Sequence, residues 1–241
     1  MNKEQIDEYK AFAKEKLGFE FKDINLLITA LTHRSYINEH RASAQEHNER
    51  LEFLGDAVLE LVSSDFLFKN YDEPEGIMTA WRAALVNTEA NAAAGEALGY
   101  EPLVRLSKGE KNGSDRARHV IMADCYEAII GAIYLDQGYK TAEEFIKKNS
   151  LTRIGDILET ESWRDSKSYL QELVQHHEGT TPDYVVMKEE GPDHDKTFTL
   201  GVYVKGHLVA TGIGHSKQEA QTKAAGEAIR KYKKSGISLD K

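Results

Sequence analysis

The sequence predicts an all-α domain followed by a small α+β domain of order α-β-β-β-α, and three observations support this. Through residues 1–160 apolar positions recur at helical spacing. Beyond Glu161 the pattern turns to three strand-like stretches between two amphipathic helices. The charge changes at the same place: residues 1–160 hold 19 Lys and Arg against 28 Asp and Glu, whereas residues 161–241 hold 12 of each. The expected organisation is a helical domain over 1–160, a polar linker over 161–165, the α+β domain over 166–236 and a tail over 237–241.

Taken in order, residues 1–16 place Ile6, Tyr9, Phe12 and Ala13 on one helical face, and Gly18 ends that helix. Asp23 opens a second helix through Leu31, which leads into ALTHRSY. Ile37 to Glu46 reads as a loop. The next helix begins near His47 and runs to about Phe68, with Leu51, Leu54, Val58, Leu61 and Val62 on a broad apolar face. After Pro74 and Gly76, Thr79 caps an alanine-rich helix through Leu98. Leu106 to His119 is a charged connection, expected to be mobile, and Val120 to Leu135 is apolar almost all round, as befits a central helix. In the second domain, Ser166 to His176 is helical and strands follow at Asp183–Met187, Lys196–Val204 and His207–Ile213. Ser216 then caps a helix through Tyr232.

At 241 residues and 40% apolar, the chain can build two cores. A formal charge of −9 argues by itself against a polyanion partner, but basic residues crowd toward the C-terminus and a local patch counts for more. The single Cys125 excludes an internal disulfide and a cysteine-rich zinc site, and no histidines fall at HExxH spacing. No signal peptide or membrane span is evident, so a reducing cytoplasm is the expected location.

The chemistry concentrates on two helices. Glu49, Glu52 and Asp56, spaced three and four apart, line one stripe, with Phe53 and Leu59 beside it, so that the acids are expected in a crevice. In the apolar helix Asp124 and Glu127 share a face, and Gly131 one turn on allows a neighbour to approach. Buried carboxylates need a partner. One reading pairs them with Arg50, Arg82 or lysines. The other joins Glu52, Asp56, Asp124 and Glu127 as oxygen-only ligands for a hard ion such as Mg²⁺ or Mn²⁺, which suits phosphodiester hydrolysis.

HNERLEFLGDAVLEL at 47–61 resembles the signature of ribonuclease III, the double-stranded-RNA endonuclease family. ALTHRSY at 30–36, EGIMTAWRAALVN at 75–87 and MADCYEAIIGAIYLDQG at 122–138 follow in the family's order. LQELVQ at 170–175, GPDH at 191–194 and SKQEAQTKAA at 216–225 resemble the double-stranded-RNA-binding domain.

The resemblance implies that Glu52, Asp56, Asp124 and Glu127 carry metal and chemistry, with Glu49 and Glu75 at the margin of a catalytic valley. Asn48 is a supporting partner of that site or a helix cap. Phe53 resembles an aromatic knob inserted into a partner subunit, with a plain core phenylalanine as the alternative. The implied protein is a homodimer that cuts both strands of an RNA duplex in rRNA and mRNA processing and RNA turnover. RNA contacts are implied at Gln171, Gln175, His194, Lys217 and Lys223. Gln218 and Gln221 stand where the family carries basic residues, so a weaker charge-driven affinity is expected. A non-catalytic double-stranded-RNA-binding protein on the same scaffold is the alternative, and it predicts loss of acids that are present here.

Overall fold

The computed structural model describes residues 1–40, 46–161, 163–192 and 196–237. The chain divides into two compact units, Met1–Trp163 and Arg164–Lys241.

The first unit is helical throughout. α1 (Lys3–Phe12) starts at an Asn2–Gln5 capping box and passes through one wider turn, Ala13–Leu17, before Gly18 stops it at φ +89°. α2 (Ile24–Ala30) is capped by Asp23, and α3 (Arg34–Glu39) by His33. Residues 37–39, expected in a loop, are thus helical, because the His33 side chain accepts the Ser35 N–H and starts a turn there. The segment between α2 and α3 also pins the start of α4 (Glu49–Asn70). The Thr32 hydroxyl donates to the Ile28 carbonyl, and its own carbonyl accepts the Asn48 N–H at 2.9 Å.

The alanine-rich region is two helices, not one. α5 begins at Glu75 immediately after Pro74, so Gly76 and Thr79 lie inside it, and it ends at Val86. Asn87 takes extended backbone and accepts the Ala90 N–H, opening α6 (Thr88–Leu98) in a new direction. The charged connection holds a single turn, α7 (Lys108–Lys111), and Ser114 caps α8 (Asp115–Gln137) five residues before the apolar run begins. α9 (Tyr139–Asn149) and α10 (Ile154–Thr160) complete the unit.

α8 is the centre of this core: Cys125, Tyr126, Ala128, Ile129, Ile130, Ala132 and Ile133 are all sealed from solvent. α4 crosses it closely at two glycines. A Cβ on Gly55 would overlap the Glu127 carbonyl, and one on Gly131 would overlap that of Leu51. Leu61, expected on the buried face of α4, is instead more than half exposed, since the α4 face toward α8 is set by Leu51, Gly55, Val58, Leu59 and Val62.

The second unit has the order α11 (Ser166–Glu178), β1 (Asp183–Glu190), β2 (Thr197–Val204), β3 (His207–Gly214), α12 (Lys217–Lys234). The three strands form one antiparallel sheet in sequence order. Lys205 and Gly206, both at positive φ, make the two-residue turn between β2 and β3. Leu170, Leu173 and Val174 of α11 meet Val202, Val204 and Ala210 of the sheet and Ala224, Ala225 and Ala228 of α12. The alanines let α12 lie almost on the backbone of β3, where Gly212 leaves no space for a side chain.

Candidate active site

The glycine crossing sets Glu52 and Asp56 of α4 against Asp124 and Glu127 of α8. Glu52, Asp124 and Glu127 are half-buried and Asp56 is exposed at the open edge. Burial raises Glu52 to about 7, and the charges of Asp124, Glu49 and Asp56 add to it. Glu127 is also pushed up to about 7, by burial and then by Asp56, Glu52 and Asp124, against a hydrogen bond from Asn91 that opposes the shift. Asp124 rises for the same first reason, with Glu49 contributing.

No ion pair among the described residues engages any of the four. Arg82, a candidate partner from sequence, binds Glu60 at 2.8 Å and the Ser64 hydroxyl instead. The four are within electrostatic reach of one another, but among the described residues no three histidines, cysteines or acids converge as a closed cage. All the donors are carboxylate oxygens, which fit a hard divalent cation and not zinc.

Glu49 stands beside this group and is held by Arg34 at 3.2 Å, with His47 on its other oxygen at 3.8 Å. Glu75 is not brought to it within this chain: it starts α5, accepts from the Thr79 hydroxyl at 3.1 Å and lines a groove with Leu61, Ser64, Phe68 and Arg82. Asn48 does not cap α4 through its side chain. Its amide is buried and donates to the Cys125 thiol at 3.6 Å, beneath Asp124. Burial pushes that thiol up to about 12, so Cys125 is an inert core residue. Phe53 is 81% exposed, which excludes the core reading, and Phe68, 76% exposed, and Leu61 are further exposed apolar side chains on the same helix.

Sequence reading missed Asn91. Its amide donates to Glu127 Oε1 at 2.8 Å from the facing side of α6. The available signal was an asparagine, a poor helix former, inside the run TEANAAAGEAL.

In the second unit Gln171 and Gln175 are exposed one turn apart on α11. His194 lies outside the described residues. Lys217, in the first turn of α12, is paired with Glu189 at 3.1 Å, and Lys223 with Glu219 at 2.7 Å. Gln221 accepts from Lys167 at 2.7 Å.

Comparison with known proteins agrees with both units. A family model described as ribonuclease-III-like matches residues 23–154, and the double-stranded RNA binding motif matches residues 166–232. Ribonuclease 3 of Pelotomaculum thermopropionicum is 46% identical over 219 residues, covering 90% of this chain and 91% of that protein. Ribonuclease 3 of Desulforamulus reducens is 42% identical over 233 residues, covering 96% and 95%. Among solved structures, the nuclease domain of ribonuclease III from Campylobacter jejuni, described for flexibility in a region involved in dimer formation, superposes with a TM-score of 0.51 at 39% identity. That match covers 61% of this chain and 98% of the other. Family models over both units, and relatives this similar over nearly the whole length, show that the chain belongs to the ribonuclease III family, whose members are divalent-metal-dependent nucleases.

Proposed function

We propose that this protein is a Mg²⁺-dependent endoribonuclease that hydrolyses phosphodiester bonds of double-stranded RNA, acting as a cytoplasmic homodimer in rRNA and mRNA processing and RNA turnover. One observation carries the reading: four carboxylates face one another from two helices, burial raises Glu52, Asp124 and Glu127, and among the described residues no cation of the protein pairs with any of the four. Glu52, Asp56, Asp124 and Glu127 would hold Mg²⁺, with Mn²⁺ as a substitute of the same hardness. A divalent cation bound there supplies an activated water and offsets charge on the phosphoryl oxygen during in-line displacement.

The remaining work falls to the protein. Half-buried Glu52, Asp124 and Glu127 form the floor of the site, while exposed Asp56 faces the direction from which a duplex arrives. Glu49, steadied by Arg34, places a further negative charge at the margin. The exposed Phe53 offers a partner copy an apolar anchor, and two-fold pairing sets one acid site against each strand of an antiparallel duplex. Glu75, apart from the quartet within one chain, would act at the valley margin of such a dimer.

In the second unit the exposed Gln171 and Gln175 suit one wide minor groove of A-form RNA, His194 would reach the next, and Lys217 and Lys223 the phosphates. Among the described residues no helix is long and apolar enough to cross a membrane.

The test is incubation of the purified protein with a long RNA duplex and with its separate strands, with Mg²⁺ and with chelator. Duplex cutting that needs the metal and is abolished in Glu127→Gln, while that variant still binds duplex, is the expected result. Duplex binding without cutting under every metal condition would move the reading to a non-catalytic RNA-binding protein.

A further inference from the structure

We infer that Asn91 is a positioning residue that sets the orientation of the Glu127 carboxylate for cation binding. The inference rests on the proposed acid site and adds to it a residue from a third helix.

The geometry is specific. Asn91 lies on α6, 1% exposed, and its Nδ2 donates both to Glu127 Oε1 at 2.8 Å and to the Val86 carbonyl at 3.1 Å. Both neighbours are acceptors, so the amide can face them only with its nitrogen. The second bond ties the amide to the end of α5, and the Asn87 cap fixes the start of α6 through the Ala90 N–H at 2.8 Å. Farther along, the ring of Tyr100 packs on Gly95 and its hydroxyl donates to the Met122 carbonyl at 2.5 Å. α6 is therefore tied to α8 at two levels, one of them through the Asn91–Glu127 bond.

Chemistry explains why an asparagine suits the position. A lysine or arginine there would neutralise Glu127 and compete with a metal ion for it. An amide orients one carboxylate oxygen by hydrogen bonding, supplies no countercharge of its own and leaves Oε2 free to ligate. Asn91 also carries a cost that a residue selected for packing alone would avoid, since its own Oδ1 is buried without a hydrogen-bond partner. Partners that orient a metal ligand typically change metal affinity or activity about 10- to 100-fold when removed.

The experiment compares the wild-type chain with Asn91→Leu, which refills the space without a donor, and Asn91→Ala, which matches the neighbouring residues of α6. Mn²⁺ binding is measured by calorimetry, and duplex cleavage is followed against Mg²⁺ concentration. Thermal melts establish that each variant is folded. The expected result is an Mn²⁺ dissociation constant raised about tenfold or more in both variants. The Mg²⁺ requirement for cleavage should rise in parallel, with kcat reduced at ordinary Mg²⁺ and KM for duplex unchanged. A packing role would instead weaken Asn91→Ala and spare Asn91→Leu. If wild type binds Mn²⁺ and cuts duplex, Glu127→Gln does neither, and Asn91→Leu behaves as wild type, the role of Asn91 is overturned and the acid site stands. A wild-type chain that neither binds Mn²⁺ nor cuts overturns both.

Discussion

Gly55 of α4 lies so close to Glu127 of α8 that a Cβ on the glycine would overlap the glutamate's own backbone carbonyl. The spacing of the acid site is thus set by two backbones in contact, before any carboxylate is considered. Gly55→Ala should separate the helices, costing about 1–3 kcal/mol in stability as an overpacked core does. Cleavage should fall more steeply, about a hundredfold for a displacement near 1 Å. A thermal melt and a cleavage assay on the same preparation check this, and wild-type activity in the variant would show that the crossing does not set the site.

The raised carboxylates give the metal-free protein a pH signature. A carboxylate whose folded value lies above its unfolded one contributes stability that is fully present below the unfolded value and is lost as pH rises through the folded one. Glu52 and Glu127, both displaced from 4.5 to about 7, should therefore make the chelated protein less stable at pH 8 than at pH 5.5. The double variant Glu52→Gln, Glu127→Gln should lose most of that pH dependence, the raised Asp124 keeping a remainder, and Mg²⁺ should stabilise wild type most at the alkaline end. Melting curves across pH, with chelator and with Mg²⁺, read all three, and a flat wild-type profile would count against the electrostatic account.

Much of this structure is legible in the sequence because it is local. The α-β-β-β-α order of the second unit follows from alternation and from Ser216 as a cap, and the four acids follow from three- and four-residue spacing on two helices. What escapes depends on contacts between distant segments. The break at Asn87 falls in a continuous alanine pattern, and only the cap geometry reveals it. α9 and α10 carry no chemistry-bearing motif to draw attention to them. Leu61 shares the helical phase of Leu54 and Val58, yet α8 covers only the stripe around Gly55. Asn48 stands at a capping position, whereas its amide turns inward to Cys125. Asn91 belongs to the site through a partner 36 residues away, a distance that no helical periodicity reports.

Phe53 separates assembly from folding. An aromatic ring 81% exposed contributes little to the stability of one chain, so Phe53→Ala should leave the monomer's melting behaviour nearly unchanged. Its loss from a dimer interface should cost about 2 kcal/mol, weakening self-association about thirtyfold. Sedimentation across a concentration series measures this, and an unchanged association constant would remove Phe53 from the interface.

Lys217 and Lys223, the two lysines proposed to meet phosphates, are already engaged by acids. Lys217→Ala should lower the slope of log affinity against log salt for duplex RNA by about 1. Glu189→Gln should raise affinity by no more than a few-fold, because an exposed pair such as Lys217–Glu189 is worth only about 0.2–1 kcal/mol. Binding titrations at several salt concentrations decide the point, and an unchanged slope in Lys217→Ala would exclude that lysine from the phosphate contacts.

The same internal pairing bears on competition in a mixture of RNAs. Lys217, Lys223 and Lys205 each face a glutamate of their own unit, and that unit carries 12 basic against 11 acidic residues. A surface compensated in this way draws little from counterion release, the term that attracts any polyanion regardless of its form. Groove shape and 2′-hydroxyls then make up a larger share of its preference. An excess of folded RNA whose helices are short, rich in phosphate, should displace the unit from a long duplex only weakly. Such a domain gives up strength of binding for discrimination, and a competition titration with transfer RNA measures the exchange.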